Sequence, residues 1–232
     1  MASGRQEQLA FTFRGRGGAR PGAGRPPRGF RAGVPHLARP RHSLHHPVHV
    51  TLRVASGLPR LRGAATFRRI RSALARARER FGMRLAHFSV QGDHLHLVVE
   101  AGDRRALSRG IQGLAIRVAK AVNRRFERKG QVFADRYHAR ALRTPREVRN
   151  VLGYVLCNAR KHGGTAGLPA GYVDACSSAP WFDGWNRPAA LAFVTAASSA
   201  GPDPPVADAK SWLLRVGWRR RGLLDVDGFV AS

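Results

Sequence analysis

The sequence predicts an α+β fold: a ferredoxin-like antiparallel sheet with two helices on one face and an extra tyrosine-bearing helix on the other. Three observations lead there. Apolar residues recur at every second position in "PVHVTLRVAS", "RLAHFSVQ" and "DHLHLVVEA", the period of half-buried strands. They recur at three- and four-residue spacing in "ATFRRIRSALARARERF", "RALSRGIQGLAIRVAKAVNRRFERKG" and "TPREVRNVLGYVLCNARKHG", the period of amphipathic helices. The order strand, helix, strand, strand, helix, strand matches the split βαβ arrangement, and the last helix is left for the sheet's other face.

Each element has its own justification. The first strand sets Val48, Val50, Leu52 and Val54 against His49, Thr51 and Arg53. The first helix carries Phe67, Ile70, Leu74, Ala77 and Phe81 along one side, with arginines on the other. Two strands then form a hairpin that turns at Gly92-Asp93. Leu107, Ile111, Leu114, Val118 and Val122 define a second helix closing at Gly130. "QVFADRYHARAL" reads as the last strand. Thr144, Pro145 and Glu147 make a capping box with proline in the first helical turn, and Gly163 is the natural stop of that third helix.

Around this block the composition changes. The chain of 232 residues carries 41 Lys and Arg against 14 Asp and Glu, a net charge of +27, so nucleic acid is the expected partner. Residues 1–46 are dense in Arg, Gly and Pro and read as a flexible basic arm, with "GAGRPPRG" similar to the Gly-Arg-Pro core of AT-hooks. Residues 47–163 form the candidate catalytic domain. Residues 164–232 are an extension that holds all four tryptophans and a basic amphipathic segment near 210–222; docking on the core is the expectation for it. No apolar run is long enough to span a membrane, no signal peptide is evident, and the 2 cysteines argue against a disulfide framework, so a cytoplasmic protein is expected.

The candidate chemistry lies in "DHLHLVVE". His94 and His96, two apart on a strand, share a face, opposite Leu95, Leu97 and Val99. Imidazole is a common metal ligand, yet one such pair among 10 histidines also arises by chance, and the spacing alone does not decide. If the leucines face the two core helices, the histidines face the third. That helix carries Tyr154 and Asn158, four apart and off the centre of the stripe Val148, Leu152, Val155 and Ala159. Together these groups suit phosphodiester cleavage. A metal on His94 and His96 polarises a phosphate oxygen, Asn158 offers an oxygen ligand suited to Mg²⁺ or Mn²⁺, and Tyr154 is the nucleophile.

Other residues have more ordinary readings. Tyr137 and His138 are adjacent on a strand and point to opposite faces, so Tyr137 is expected to be structural or to touch DNA. Tyr172 has no partner ligand at a suitable spacing. Asp93 and Asp135 are explained by a turn or an ion pair, and Glu100 is either a support for the histidines or a rim carboxylate. Arg53, Arg117, Lys120, Arg124, Arg136 and Arg140 are candidate phosphate contacts.

The blocks "HPVHVTLRV", "SVQGDHLHLVVEA", "GQVFADRYHARAL" and "YVLCNARKHG" together resemble the HUH single-tyrosine transposases, and among them the REP-associated branch, from about Pro47 to Gly163. The resemblance implies that His94 and His96 bind the metal, that Tyr154 forms a covalent 5′-phosphotyrosine, and that Asn158 is the third ligand. It also implies single-stranded DNA near imperfect hairpins as substrate, with the protein a monomer or homodimer and nucleoid-associated when bound. Two positions depart from the family pattern: Gly153 precedes the tyrosine, and Asn158 is followed by Ala159 rather than proline. A catalytically silent DNA- or RNA-binding protein of the same fold is the competing expectation.

Overall fold

The computed structural model describes residues 42–158, 168–186 and 204–227. Its regular elements in chain order are β1 (Val48–Arg53), α1 (Ala64–Ala75), β2 (Glu79–Arg80), β3 (Met83–Val90), β4 (His94–Ala101), α2 (Arg104–Arg125), β5 (His138–Ala141), α3 (Pro145–Leu156) and the short α4 (Trp212–Arg215). The strands form one antiparallel sheet in the order β2-β3-β4-β1-β5. Without the two-residue β2 this is the expected ferredoxin-like order.

Strand alternation divides the interior in two. On one face Val48, Val50, Leu52, Leu95, Leu97 and Val99 pack under α1 and α2, which add Ile70, Leu74, Ile111, Leu114 and Val118. On the other face Ala86 and Val98 lie under α3, which contributes Val148, Leu152 and Val155. The start of α3 follows from its first residues. Thr144 Oγ1 accepts from the Glu147 amide, and Glu147 reaches back to the Thr144 amide, with Pro145 in the first turn. Such a cap contributes about 1 kcal/mol.

The described part of the C-terminal extension docks, as expected. Leu213, Leu214, Trp218 and Leu224 complete the second core, and Arg149 of α3 donates to the carbonyls of Gly222 and Leu223. Trp218 is buried, whereas Trp212 stays exposed. Residues 176–178 run beside β3: Val90 donates to the Cys176 carbonyl and Ser178 to the Phe88 carbonyl. They cover a sheet edge whose free amides would otherwise invite pairing with another chain. The bidentate pair of Arg62 with buried Asp174 fastens this segment.

Three elements differ from expectation. α1 ends at Ala75, so Phe81 is not on its apolar stripe. Arg80 pairs with Met83, and Phe81 and Gly82 between them have φ of 56° and 74°. Positive φ at both central residues is the mark of a type I′ hairpin turn, which the helical periodicity concealed. Exposed Phe81 lies beneath the guanidinium groups of Arg80 and Arg109. α2 ends at Arg125 rather than Gly130. Asn123 holds the following loop by accepting from Arg128 and donating to the Gly130 carbonyl, and Glu127 takes positive φ. In the last strand only His138–Ala141 is paired as a strand; Phe133 makes an isolated bridge to Val54, and the chain bends at Asp135, whose carboxylate accepts from the Arg136 amide. The expected stop at Gly163 and the arm through residue 41 lie outside the described residues.

Candidate functional site

The site grows from the register of two neighbouring strands. Thr51 of β1 lies opposite His96 of β4, and Arg53 opposite His94. Directly opposed residues share a face, so the polar positions of both strands converge under α3. On the other side of β1, His138 is opposite Thr51 and Arg140 opposite His49, which brings these two to the same face. Tyr137, of opposite parity, packs against the α1–α2 core.

At the centre, Nε2 of His94 and Nε2 of His96 are 3.0 Å apart. The Tyr154 hydroxyl is 3.3 Å from the same His96 nitrogen. Each imidazole is held through its other nitrogen. His94 Nδ1 lies 2.7 Å from the Asp93 carboxylate, and His96 Nδ1 lies 3.2 Å from Nε2 of His49 and 3.3 Å from the Thr51 hydroxyl. The bond from His94 holds the Asp93 carboxyl below the usual carboxylate range, with the charges of His94 and Arg53 acting in the same direction. Burial pushes the His49 imidazole down to about 4, and Arg140 and His138 add to this, so His49 is neutral at neutral pH.

Asn158 follows α3 one turn beyond Tyr154. It is 1% exposed, and neither atom of its amide has a hydrogen-bond partner among the described residues. An unsatisfied buried amide costs on the order of 1–3 kcal/mol, which a ligand at that position would relieve.

These donors fit a small divalent cation. A carboxylate on His94 Nδ1 fixes the proton there and leaves Nε2 a bare lone pair. Two nitrogens held at about 2.1 Å from one ion, at right angles to each other, are about 3 Å apart. The observed separation meets that condition, and the carboxylate and imidazole behind the pair are the kind of outer support that metal-binding histidines use. Among the described residues no group of three or more His, Cys, Asp and Glu forms a metal cluster; the Asn158 amide is an oxygen donor of another type.

The remaining expected contacts separate. Arg53 and Arg140 are exposed at the rim of the site and pair with Asp93 and Glu147 respectively. Arg136 is exposed in the loop before β5. Arg117, Lys120 and Arg124 lie on α2, away from the site across the sheet. Glu100 shares the histidines' face but is neither a rim group nor one that touches them. It is buried and accepts from the amides of Lys210 and Ser211, which anchors the start of α4. Sequence reasoning missed His49 and the contact of Asp93 with His94. The available signal was that His49 sits on the polar face of the strand next to β4.

A strongly basic chain on a ferredoxin-like sheet, with two histidines and a helix-borne tyrosine on one face, is equipped to bind and process nucleic acid. Residues 44–157 match the family model described as "Transposase IS200 like", and this part of the chain belongs to that family. The match takes in His49, Asp93, His94, His96 and Tyr154 and stops one residue short of Asn158. A transposase-like role in DNA processing goes with it. Among solved structures the chain is similar to a REP-associated tyrosine transposase bound to a REP hairpin, at 14% identity and a TM-score of 0.45, over 56% of this chain and 75% of that one. It is also similar to a protein from Deinococcus radiodurans R1 assigned as a transposase, at 13% identity and a TM-score of 0.37, over 54% of this chain and 95% of that one. No curated protein matches it in sequence. Among the described residues no helix is long and apolar enough to cross a membrane.

Proposed function

We propose that the protein is a metal-dependent endonuclease and strand transferase of the single-tyrosine, REP-associated type, acting on single-stranded DNA near hairpins. The observation that carries this reading is His96 Nε2, which lies 3.0 Å from His94 Nε2 and 3.3 Å from the Tyr154 hydroxyl; Asn158, four residues after Tyr154, adds a buried amide with no hydrogen-bond partner among the described residues. His94, His96 and Asn158 would hold Mg²⁺ or Mn²⁺. When bound, the ion withdraws charge from a phosphate oxygen and favours in-line displacement.

The chain's own residues account for the rest. The Tyr154 oxygen attacks phosphorus and loses its proton, the bond from phosphorus to the 3′ oxygen breaks, and that oxygen leaves protonated as a 3′ hydroxyl. The product is a 5′-phosphotyrosine ester. Because one phosphodiester is exchanged for another, a 3′ hydroxyl can reverse the step and join strands without ATP. A helix-borne tyrosine facing an open sheet suits a flexible unpaired strand, which can bend to present its backbone. Asp93 fixes the proton on His94 Nδ1. In the metal-binding state His96 donates from Nδ1 to neutral His49, leaving its own Nε2 lone pair free.

The test is incubation of labelled single-stranded DNA carrying a hairpin with the protein and Mn²⁺, followed by denaturing electrophoresis. A covalent protein–DNA adduct is expected with the native chain, and Tyr154→Phe should reduce it more than about 10³-fold. DNA binding without any adduct would favour the catalytically silent relative, and an adduct undiminished in Tyr154→Phe would place the nucleophile elsewhere.

A further inference from the structure

On the side of the sheet away from Tyr154, a groove of about 390 Å³ runs between α1 and α2. Arg68 and Arg69 of α1 and Arg76 at its C-terminal cap line it on one side, and Arg117, Lys120 and Arg124 line it from α2. Its floor is small, with Ser72 and Ala121, so a large ligand can approach the helix backbones. No acidic residue lines the groove, and none of the six cations is in an ion pair among the described residues. Elsewhere three carboxylates are engaged with other cations: Asp174 with Arg62, Glu147 with Arg140, Asp183 with Arg219. Six unscreened like charges on two adjacent helices repel one another, and a polyanion is what neutralises them.

We propose that this groove is a second nucleic-acid surface that grips the phosphate backbone of double-stranded DNA, separate from the site that cuts unpaired DNA. Three features choose the occupant. Arg68 to Arg76 spans about 12 Å of helix and Arg117 to Arg124 about 10 Å, and packed helices lie about 8–10 Å apart. That spacing between the two helices is on the scale of a DNA groove's width, roughly 6–12 Å. Over about 12 Å of axis a duplex presents about seven phosphates, close to the number of cations. Finally, the lining holds no aromatic side chain. Single-strand binding relies on aromatic platforms for stacked bases, so the groove suits a backbone whose bases are already paired. With the cutting site on the opposite side of the sheet, the two surfaces would let the protein hold paired DNA while an unpaired strand reaches Tyr154. DNA is chosen as the nucleic acid on the strength of the proposed function; the groove's charge does not depend on it.

The test measures binding of the full chain to a blunt, fully paired DNA duplex without divalent metal, at several KCl concentrations. Cleavage is not read, so failure of the adduct assay and failure of this proposal are distinct results. The groove variant is R69Q/R76Q/K120Q/R124Q. The control, R104Q/R105Q/R143Q/R146Q, removes the same charge from exposed helix starts elsewhere. The groove variant should bind duplex tenfold or more weakly near 0.1 M salt, with the slope of log affinity against log salt shallower by about 3–4 (about 0.9 per phosphate contact). The control should change that slope by less than about 1. The milder K120Q/R124Q variant should give about half the groove variant's change in slope, which guards against misfolding of the fourfold variant. Equal losses in groove and control variants, or an unchanged slope in both groove variants, would overturn the proposal.

Discussion

Leu95, Leu97 and Val99 on one face of β4, and His94, His96, Val98 and Glu100 on the other, are set in one strand by the same alternation. The first set meets side chains of its own kind from α1 and α2. Any well-fitted apolar partners would serve, because burial there needs shape and no direction. The second set holds polar atoms that demand particular partners at particular angles, and all of these but Asp93 arrive from far along the chain. Asp93 and His49 serve the histidines, Tyr154 comes from α3, and the amides of residues 210 and 211 satisfy Glu100. One face sets stability and the other selects what the protein can do.

The largest expected effect on that division comes from Leu97→Ala. Leu97 is wholly buried in the α1–α2 core, and its truncation should lower stability by about 2–5 kcal/mol. Urea unfolding checks this. Adduct formation per folded molecule should be retained, because no atom of Leu97 lies on the histidine face. A folded Leu97→Ala protein unable to form the adduct would show that the faces are coupled and break the comparison.

The same contrast explains what could be read in advance. Apolar alternation in "VHVTLRV" and "DHLHLVVEA" was enough to place the strands and the shared face of His94 and His96, because both depend on local period alone, and the order of the elements then put the third helix over them. The register between β1 and β4 was not legible, since it depends on how the intervening loops close. Without register, His49 remained one polar residue among several on its strand. Phe81 was lost for a related reason: its spacing continues the helical stripe, and only the left-handed turn with Gly82 removes it. Glu100 was weighed against the wrong partners because segment 204–211 has no periodicity to say where it lies. The docked tryptophans were easier, since a large apolar ring near a basic amphipathic stretch has few stable places other than a core.

His49 offers a sharper test of the polar face. If it orients His96 for the metal, His49→Ala should weaken Mn²⁺ binding by about 10- to 100-fold, the usual cost of losing an outer partner of a metal ligand. Titration calorimetry reads this directly, without any cleavage. His49→Gln, whose amide oxygen can accept from His96 Nδ1, should recover part of the affinity. Loss of adduct with unchanged Mn²⁺ affinity in His49→Ala would instead assign His49 to DNA or to Tyr154, whose ring is 6.1 Å from its own.

The smallest effect concerns a histidine on this side of the sheet that has no part in the site. His87 of β3 packs edge-on against Phe182 at 5.5 Å, and its Nδ1 is enclosed without a hydrogen-bond partner among the described residues. Burial pushes its pKa down to about 4 from 6.5, against a small opposing pull from Asp183. Between those values the unfolded chain takes up a proton that the folded chain refuses. The stability of the fold is therefore intact on this account above pH 6.5, declines as the pH falls toward 4, and loses nothing further below that. The full shift corresponds to about 3 kcal/mol, of which about 2.5 kcal/mol is expressed between pH 7.5 and pH 4.5. His87→Leu removes the titrating group while keeping an apolar neighbour for Phe182. The drop in urea midpoint between pH 7.5 and pH 4.5 should thus be smaller in the variant by the equivalent of that energy. An equal drop in both proteins would mean that the contact between β3 and the C-terminal segment opens before His87 must be protonated in place, so that the second core yields to acid ahead of the first.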